Sequence, residues 1–168
     1  FVFVCGHFEG TYMSDELKSE PLDRIDTKIL RELSTDGRIA ITDLAKKVGL
    51  SKSPCQVRMK RLQDQGYIQG FRAVLNPSKL GLDHVAFAEV RLTDTTEKAL
   101  SAFNRAVMDV PEIEQCHMIA GSFDYLLKIR SRDIQAYRLI LGEVISALPY
   151  VGSTSTHVSM QAVKDSAF

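Results

Sequence analysis

Leu22, Ile25, Ile29 and Leu33 recur at helical spacing, which predicts a first helix with acidic Asp23 and Asp26 near its positive N-terminal end and a stop at Gly37. A short second helix follows, capped by Thr42, with Leu44, Ala45 and Val48 inward and Gly49 supplying the turn. The third helix starts near Ser51 or Ser53, accepts Pro54 in a first turn whose backbone donors lack intrahelical partners, and stops at Gly66. Along it Cys55, Met59 and Leu62 make the inner stripe. Ser53, Val57, Lys60 and Arg61 then face away, Gln56 flanks them, and Arg58 borders the core. Residues 67–76 are rich in β-formers around Gly70 and fit a small wing or an exit strand, which Asn76-Pro77 closes.

Beyond this point the period changes. His84–Leu92 alternates as a strand, and residues 96–107 form a helix through Leu100, Phe103 and Val107. Residues 113–120 and 125–130 are strands on either side of Gly121-Ser122-Phe123-Asp124. Residues 133–148 read as one helix with Ile134, Tyr137, Leu141, Val144 and Leu148 inward, and residues 154–163 as a last strand. The order βαββαβ makes the chain α+β, with a ferredoxin-like C-terminal domain whose helices cover one face of an antiparallel sheet. In the first strand Ala86, Ala88, Val90 and Leu92 line one side and Val85, Phe87 and Glu89 the other, so both faces are largely apolar. A second subunit is the expected cover.

Composition narrows the class. The 168 residues, 45% hydrophobic and 25% charged with no formal net charge, suit a soluble globular protein of two small domains or one of ordinary size. Cys5, Cys55 and Cys116 are odd in number and far apart, without Cys-x-x-Cys or paired His, so neither a disulfide framework nor a zinc site is indicated, and a reducing cytoplasm is expected. No apolar run approaches the ~18 residues of a membrane span. Residues 1–20 are expected to be a disordered extension; Met13-Ser14-Asp15 looks like a natural start.

Charge is unevenly spread. From Leu44 to Gln63 there is no Asp or Glu, while Lys46, Lys47, Lys52, Arg58, Lys60 and Arg61 crowd together, a local positive patch on what reads as a helix-turn-helix. Double-stranded DNA is therefore the leading partner, with Ser51, Lys52, Ser53, Gln56, Val57, Lys60 and Arg61 as candidate contacts. Cys55 reads as a packed small hydrophobe. Cys116 and His117, adjacent on a strand, point to opposite faces and cannot share a ligand.

Leu22-Asp23-Arg24-Ile25-Asp26, Asp36-Gly37-Arg38-Ile39, Val48-Gly49-Leu50-Ser51, Pro54-Cys55, Arg61-Leu62, Gly66-Tyr67-Ile68-Gln69-Gly70 and Leu75-Asn76-Pro77 occur in order. Glu114-Gln115-Cys116-His117, Gly121-Ser122-Phe123-Asp124-Tyr125-Leu126-Leu127-Lys128 and Leu148-Pro149 follow. This series resembles the Lrp/AsnC, or feast/famine, family of transcription regulators over about residues 21–165. The resemblance implies a winged helix-turn-helix at 21–70, a linker strand at 71–82 and an effector-binding, oligomerising ferredoxin-like domain at 83–165. It further implies homodimers made through the C-terminal sheets, assembling to an octamer, and an amino-acid effector between dimers beside the turn at 121–124. Met118, Gly121, Ser122, Phe123, Asp124 and Tyr125 are the residues so implicated. The chemistry is compatible: Gly121 permits close backbone approach, exposed amides can receive a carboxylate, and Asp124 can pair with an ammonium group. Without the resemblance the same four residues also fit an ordinary hairpin turn. Ser122 departs from close relatives, which often carry an acidic residue there.

The implied protein is a cytoplasmic, nucleoid-associated regulator of amino-acid metabolism on pseudo-palindromic operators. Leucine is the first effector to test; proline and other branched-chain amino acids stay open. Two other classes compete: an architectural DNA-binding protein with no effector, and a small ferredoxin-like enzyme. The enzyme lacks a glycine-rich phosphate loop, a metal cluster and a nucleophile elbow, and no cofactor is expected.

Overall fold

The computed structural model describes residues 21–165, so the extension expected over residues 1–20 lies outside the described residues. Two units divide between Ala73 and Val74.

The first unit holds α1 (Arg24–Thr35), α2 (Ile41–Val48) and α3 (Lys52–Asp64). A capping box opens α1: the Asp23 carboxylate accepts from the N–H of Ile25 at 2.8 Å and of Asp26 at 2.7 Å, and Asp26 accepts from the N–H of Asp23 at 3.2 Å. The helix stops at an Asp36 cap, one residue before the expected Gly37, and a β-carbon on Gly37 would sit 3.2 Å from the Phe71 ring. Ala40, and not Thr42, caps α2. Its carbonyl takes the N–H of Asp43 and of Leu44 at 2.9 Å each, which leaves Thr42 inside the first turn. Gly49 closes α2 with a left-handed φ of 80°, a conformation nearly free for glycine. Ser51 is the N-cap of α3, and Gln65 its C-cap. Ile29, Leu44, Ala45, Val48, Cys55 and Leu62 form the core, with Ile25, Leu33, Met59 and Ile68 packed on it. Cys55 is fully buried there, and burial raises its thiol pKa, as suits a packing residue.

The wing or strand expected at 67–76 is not formed as a strand among the described residues. A strand needs a neighbour to take its backbone groups, and no described segment pairs with this one. The linker at 71–82 is accordingly irregular backbone and a single 3-10 turn, Ser78–Leu80.

The second unit runs β1 (His84–Leu92), α4 (Glu97–Met108), β2 (Ile113–Met118), β3 (Tyr125–Ser131), α5 (Ile134–Leu139) and β4 (Val151–Val158). The sheet order is β2-β3-β1-β4, antiparallel throughout, which is the ferredoxin-like arrangement. Thr96 caps α4 and Asp133 caps α5, each accepting an N–H three residues on. Ala86, Ala88, Val90, Phe103, Leu127, Ile129 and Ile145 build the core, where the Phe103 and Tyr125 rings lie 4.4 Å apart.

Three expected boundaries move. The helix over 133–148 is interrupted: after Leu139 come a π turn at Ile140–Val144, containing Gly142, and a 3-10 turn at Ile145–Ala147. Ile145, just past the π turn, is fully buried, whereas Ile134, the first residue of α5 and ahead of that turn, stands 52% exposed. The last strand is Val151–Val158 and not 154–163, because Val158 already pairs with Ala86 near the start of β1 and no partner strand remains beyond it. Finally, β2 ends at Met118 instead of residue 120: the N–H of Ile119 still reaches the carbonyl of Asp124 at 2.8 Å, but the Asp124 N–H leaves the pair for the carbonyl of Val90 at 2.9 Å.

Candidate nucleic-acid interface and effector loop

The third helix exposes Ser51, Lys52, Ser53, Gln56, Val57 and Lys60 together. Hydroxyls and an amide stand beside two ammonium groups and a Val57 that is 68% exposed, a surface able to meet phosphates, base edges and thymine methyls. Lys60 reaches Asp64 at 3.0 Å one turn on, an exposed pair that a phosphate can displace cheaply. Residues 21–70 hold ten Lys and Arg against six Asp and Glu, so this unit is positive where the whole chain is balanced. Two cations of the patch are engaged locally: Lys46 with Asp43 at 3.2 Å and Lys47 with Glu32 at 2.7 Å.

One orientation is corrected. Arg61, expected to face the groove, turns to α1, where its Nη2 donates to Asp26 Oδ2 at 2.5 Å. Arg58 joins it, donating from Nη1 to Asp26 Oδ1 at 2.9 Å and to Asp23 Oδ2 at 2.5 Å. Asp26 is wholly buried, and a buried carboxylate draws in whatever guanidinium lies within reach. The Asp26 N–H and the Arg58 guanidinium hold the Asp23 carboxyl down at about 2. Sequence reasoning took Asp23 and Asp26 only as partners of the helix dipole. The missed signal was spacing: Asp26 falls with Ile29 and Leu33 on the inward stripe of α1, and Arg58 and Arg61 sit one turn apart on α3.

The turn between β2 and β3 carries the other candidates. Gly121 and Ser122 are exposed, Phe123 and Asp124 half-buried, and Met118 is 56% exposed beside them. Tyr125 differs from its neighbours: it is 1% exposed, its ring packs against Phe103, and burial raises its hydroxyl pKa. The turn is fixed to β1 at three points. The Asp124 N–H donates to the carbonyl of Val90 at 2.9 Å, and Asp124 Oδ2 accepts from the N–H of Leu92 at 2.7 Å. The Arg91 guanidinium donates to the carbonyl of Ser122. Asp124 is thus a brace of the turn as well as its acid. The N–H groups of Gly121, Ser122 and Phe123 make no hydrogen bond among the described residues.

On the sheet face away from the helices lie Val85, Phe87 and Glu89 of β1 and Leu126 of β3, all half-buried. His157 of β4, opposite Phe87, reaches Glu89 Oε1 at 3.2 Å. Cys116 packs toward the core while His117 is exposed, as alternation along a strand requires. Among the described residues no group of three or more His, Cys, Asp and Glu is placed to hold a metal ion, and no helix is long and apolar enough to cross a membrane.

Known proteins share both units. Residues 22–69 match a family model described as winged helix-turn-helix DNA-binding, and residues 85–167 one described as Lrp/AsnC ligand binding domain. A proline dehydrogenase transcriptional activator of Rhizobium radiobacter is 62% identical over 91% of this chain and 98% of its own length. The leucine-responsive regulatory protein of Escherichia coli is 46% identical over 91% and 93%. Among solved structures, a transcriptional regulator from Neisseria meningitidis in complex with L-Met superposes with a TM-score of 0.81 at 30% identity, covering 86% of this chain and 94% of that one.

Proposed function

The chain belongs to the Lrp/AsnC family of transcriptional regulators, and from that premise we propose that it activates a proline dehydrogenase gene in response to an amino acid, proline first among the candidates. The observation that carries this reading is the identity to the Rhizobium radiobacter activator, which exceeds that to the leucine-responsive protein over the same share of the chain. Leucine, the first choice from the resemblance alone, becomes the comparison ligand. On this reading α3 enters the major groove, Lys52 and Lys60 meet phosphates, and Ser53, Gln56 and Val57 meet base edges. The protein acts as a regulator without catalysis, in the cytoplasm, as a dimer closed over the outer sheet face that can assemble further to an octamer.

The effector's carboxylate is received by the N–H groups of Gly121, Ser122 and Phe123, and its ammonium group by Asp124, with Met118 as apolar wall. Burying either charge of a zwitterion without a partner costs several kcal/mol, so one acid and a set of donors on a single turn suit this ligand class. The bonds from Asp124 and Ser122 to β1 would carry the occupancy of the turn to the sheet.

Calorimetric titration of the full chain with proline, leucine and methionine tests this. Proline should bind most tightly, and Asp124→Asn, which keeps an oxygen for the Leu92 N–H but loses the charge, should weaken binding at least ~10-fold, or about 1.4 kcal/mol. Heat from leucine alone would transfer the effector assignment. No heat from any amino acid would instead support an architectural regulator without an effector, and unaltered affinity in Asp124→Asn would remove the anchor.

A further inference from the structure

Arg58 and Arg61 look from the sequence like part of the DNA-binding charge, yet both are committed to a carboxylate that has no access to water. We infer that Asp26 is the positioning residue of the DNA-reading helix, and that Arg58 and Arg61 serve it and not the phosphates. The inference rests on reading α3 as the helix that enters DNA.

The geometry has three parts. Asp26 is 0% exposed, and it receives three donors from two separate segments: Arg58 on Oδ1, Arg61 and the Asp23 N–H on Oδ2. One carboxylate therefore grips two guanidinia a turn apart on α3, which restrains both the rotation and the slide of that helix against α1. Cys55 and Leu62 anchor α3 to the core, and the two ion pairs add the restraint at its polar edge. The arginine side chains are only 29% and 30% exposed, and each leaves this cluster for a phosphate only by depriving a buried anion of a donor. Finally, Asp23 also binds Arg58, so among the described residues the charge of both guanidinia is answered by carboxylates at the α1 end, which lowers what they contribute to the field at the DNA. The attraction comes from Lys52 and Lys60, and the cluster decides where Ser53, Gln56 and Val57 stand relative to the bases.

Positioning and phosphate binding leave different signatures in the salt dependence of association. For the full chain, association constants would be measured across a salt series on two duplexes of equal length: one selected from a random pool by the parent protein, the other of random sequence. Arg58→Gln and Arg61→Gln should leave the log–log salt slope as in the parent, while Lys60→Ala lowers it by about one, the share of a single neutralised phosphate. The same arginine variants should lower the ratio of selected to random affinity by about tenfold, the size expected when one side chain is misplaced against its base. Asp26→Asn should lower that ratio too and steepen the slope, because it releases two guanidinia toward the backbone.

A slope reduced in Arg58→Gln or Arg61→Gln as much as in Lys60→Ala would make the arginines phosphate ligands and overturn the inference. An unchanged ratio, with both duplexes weakened alike in proportion to unfolded protein, would reduce the cluster to a stabilising one and also overturn it. If Asp26→Asn does not fold, the two arginine variants decide alone. No change in any variant, Lys60→Ala and Gln56→Ala included, would instead discard α3 as the reading helix.

Discussion

Asp23 and Asp26 lie three residues apart at one helix end and differ in what surrounds them. Asp26 is sealed against Arg58 and Arg61, whereas Asp23 is open to solvent, caps α1 and holds Arg58 from outside. The Asp23 carboxyl lies at about 2, against an ordinary value of 3.8, first because of the Asp26 N–H and then because of Arg58. A lowered folded-state value means that this stabilisation is fully present above about pH 4 and is lost as pH falls toward 2. Hydrogen-exchange protection factors, corrected for the intrinsic pH dependence of exchange, should therefore fall between about pH 4 and pH 2 more for α1 and α3 than for β1 and β3. Equal loss in both units would mean that the cap and its arginine do not set the acid limit of the first unit.

Elements divide into those whose periodicity was readable and those decided by interactions remote in sequence. Strand β1 and the three N-terminal helices followed directly from spacing, because Ile29, Leu44, Val48, Cys55 and Leu62 all face one core. Tyr125 was placed by resemblance at the edge of a ligand site, but alternation along β3 sends it into the core beside Leu127 and Ile129. The exposed face of α3 was legible except for Arg61, whose direction depends on a buried acid 35 residues away. The helix over 133–148 failed differently: a regular period cannot anticipate a π turn, and of its residues Ile134, expected inward, is exposed while Ile145, not among those expected, is buried. This shift predicts that Ile145→Ala costs about 2–5 kcal/mol, as for a filled core position, whereas Ile134→Ala stays within ~0.5 kcal/mol. Chemical denaturation of both variants measures the difference. Similar small losses would put the inward face back on the unbroken helical period.

At the scale of the whole molecule, two requirements meet in oligomerisation. The outer sheet face, with Val85, Phe87 and Leu126 beside the Glu89–His157 pair, is an apolar surface rimmed by polar groups, the kind that a second copy covers. Recognition of a pseudo-palindrome needs two copies of α3 held one helical turn of DNA apart, and an isologous dimer supplies that by symmetry. Both expectations are tested by one titration of the full chain, followed by fluorescence anisotropy and analytical ultracentrifugation. The duplex is the region upstream of the proline dehydrogenase gene in the genome that encodes this chain. The account predicts a complex containing two protomers or a multiple of two, with affinity of roughly 10⁻⁸ M or tighter at physiological salt and at least ~10³-fold weaker binding to random sequence. A single folded protomer on the duplex, or equal affinity for the upstream and random duplexes at the same salt, would contradict it.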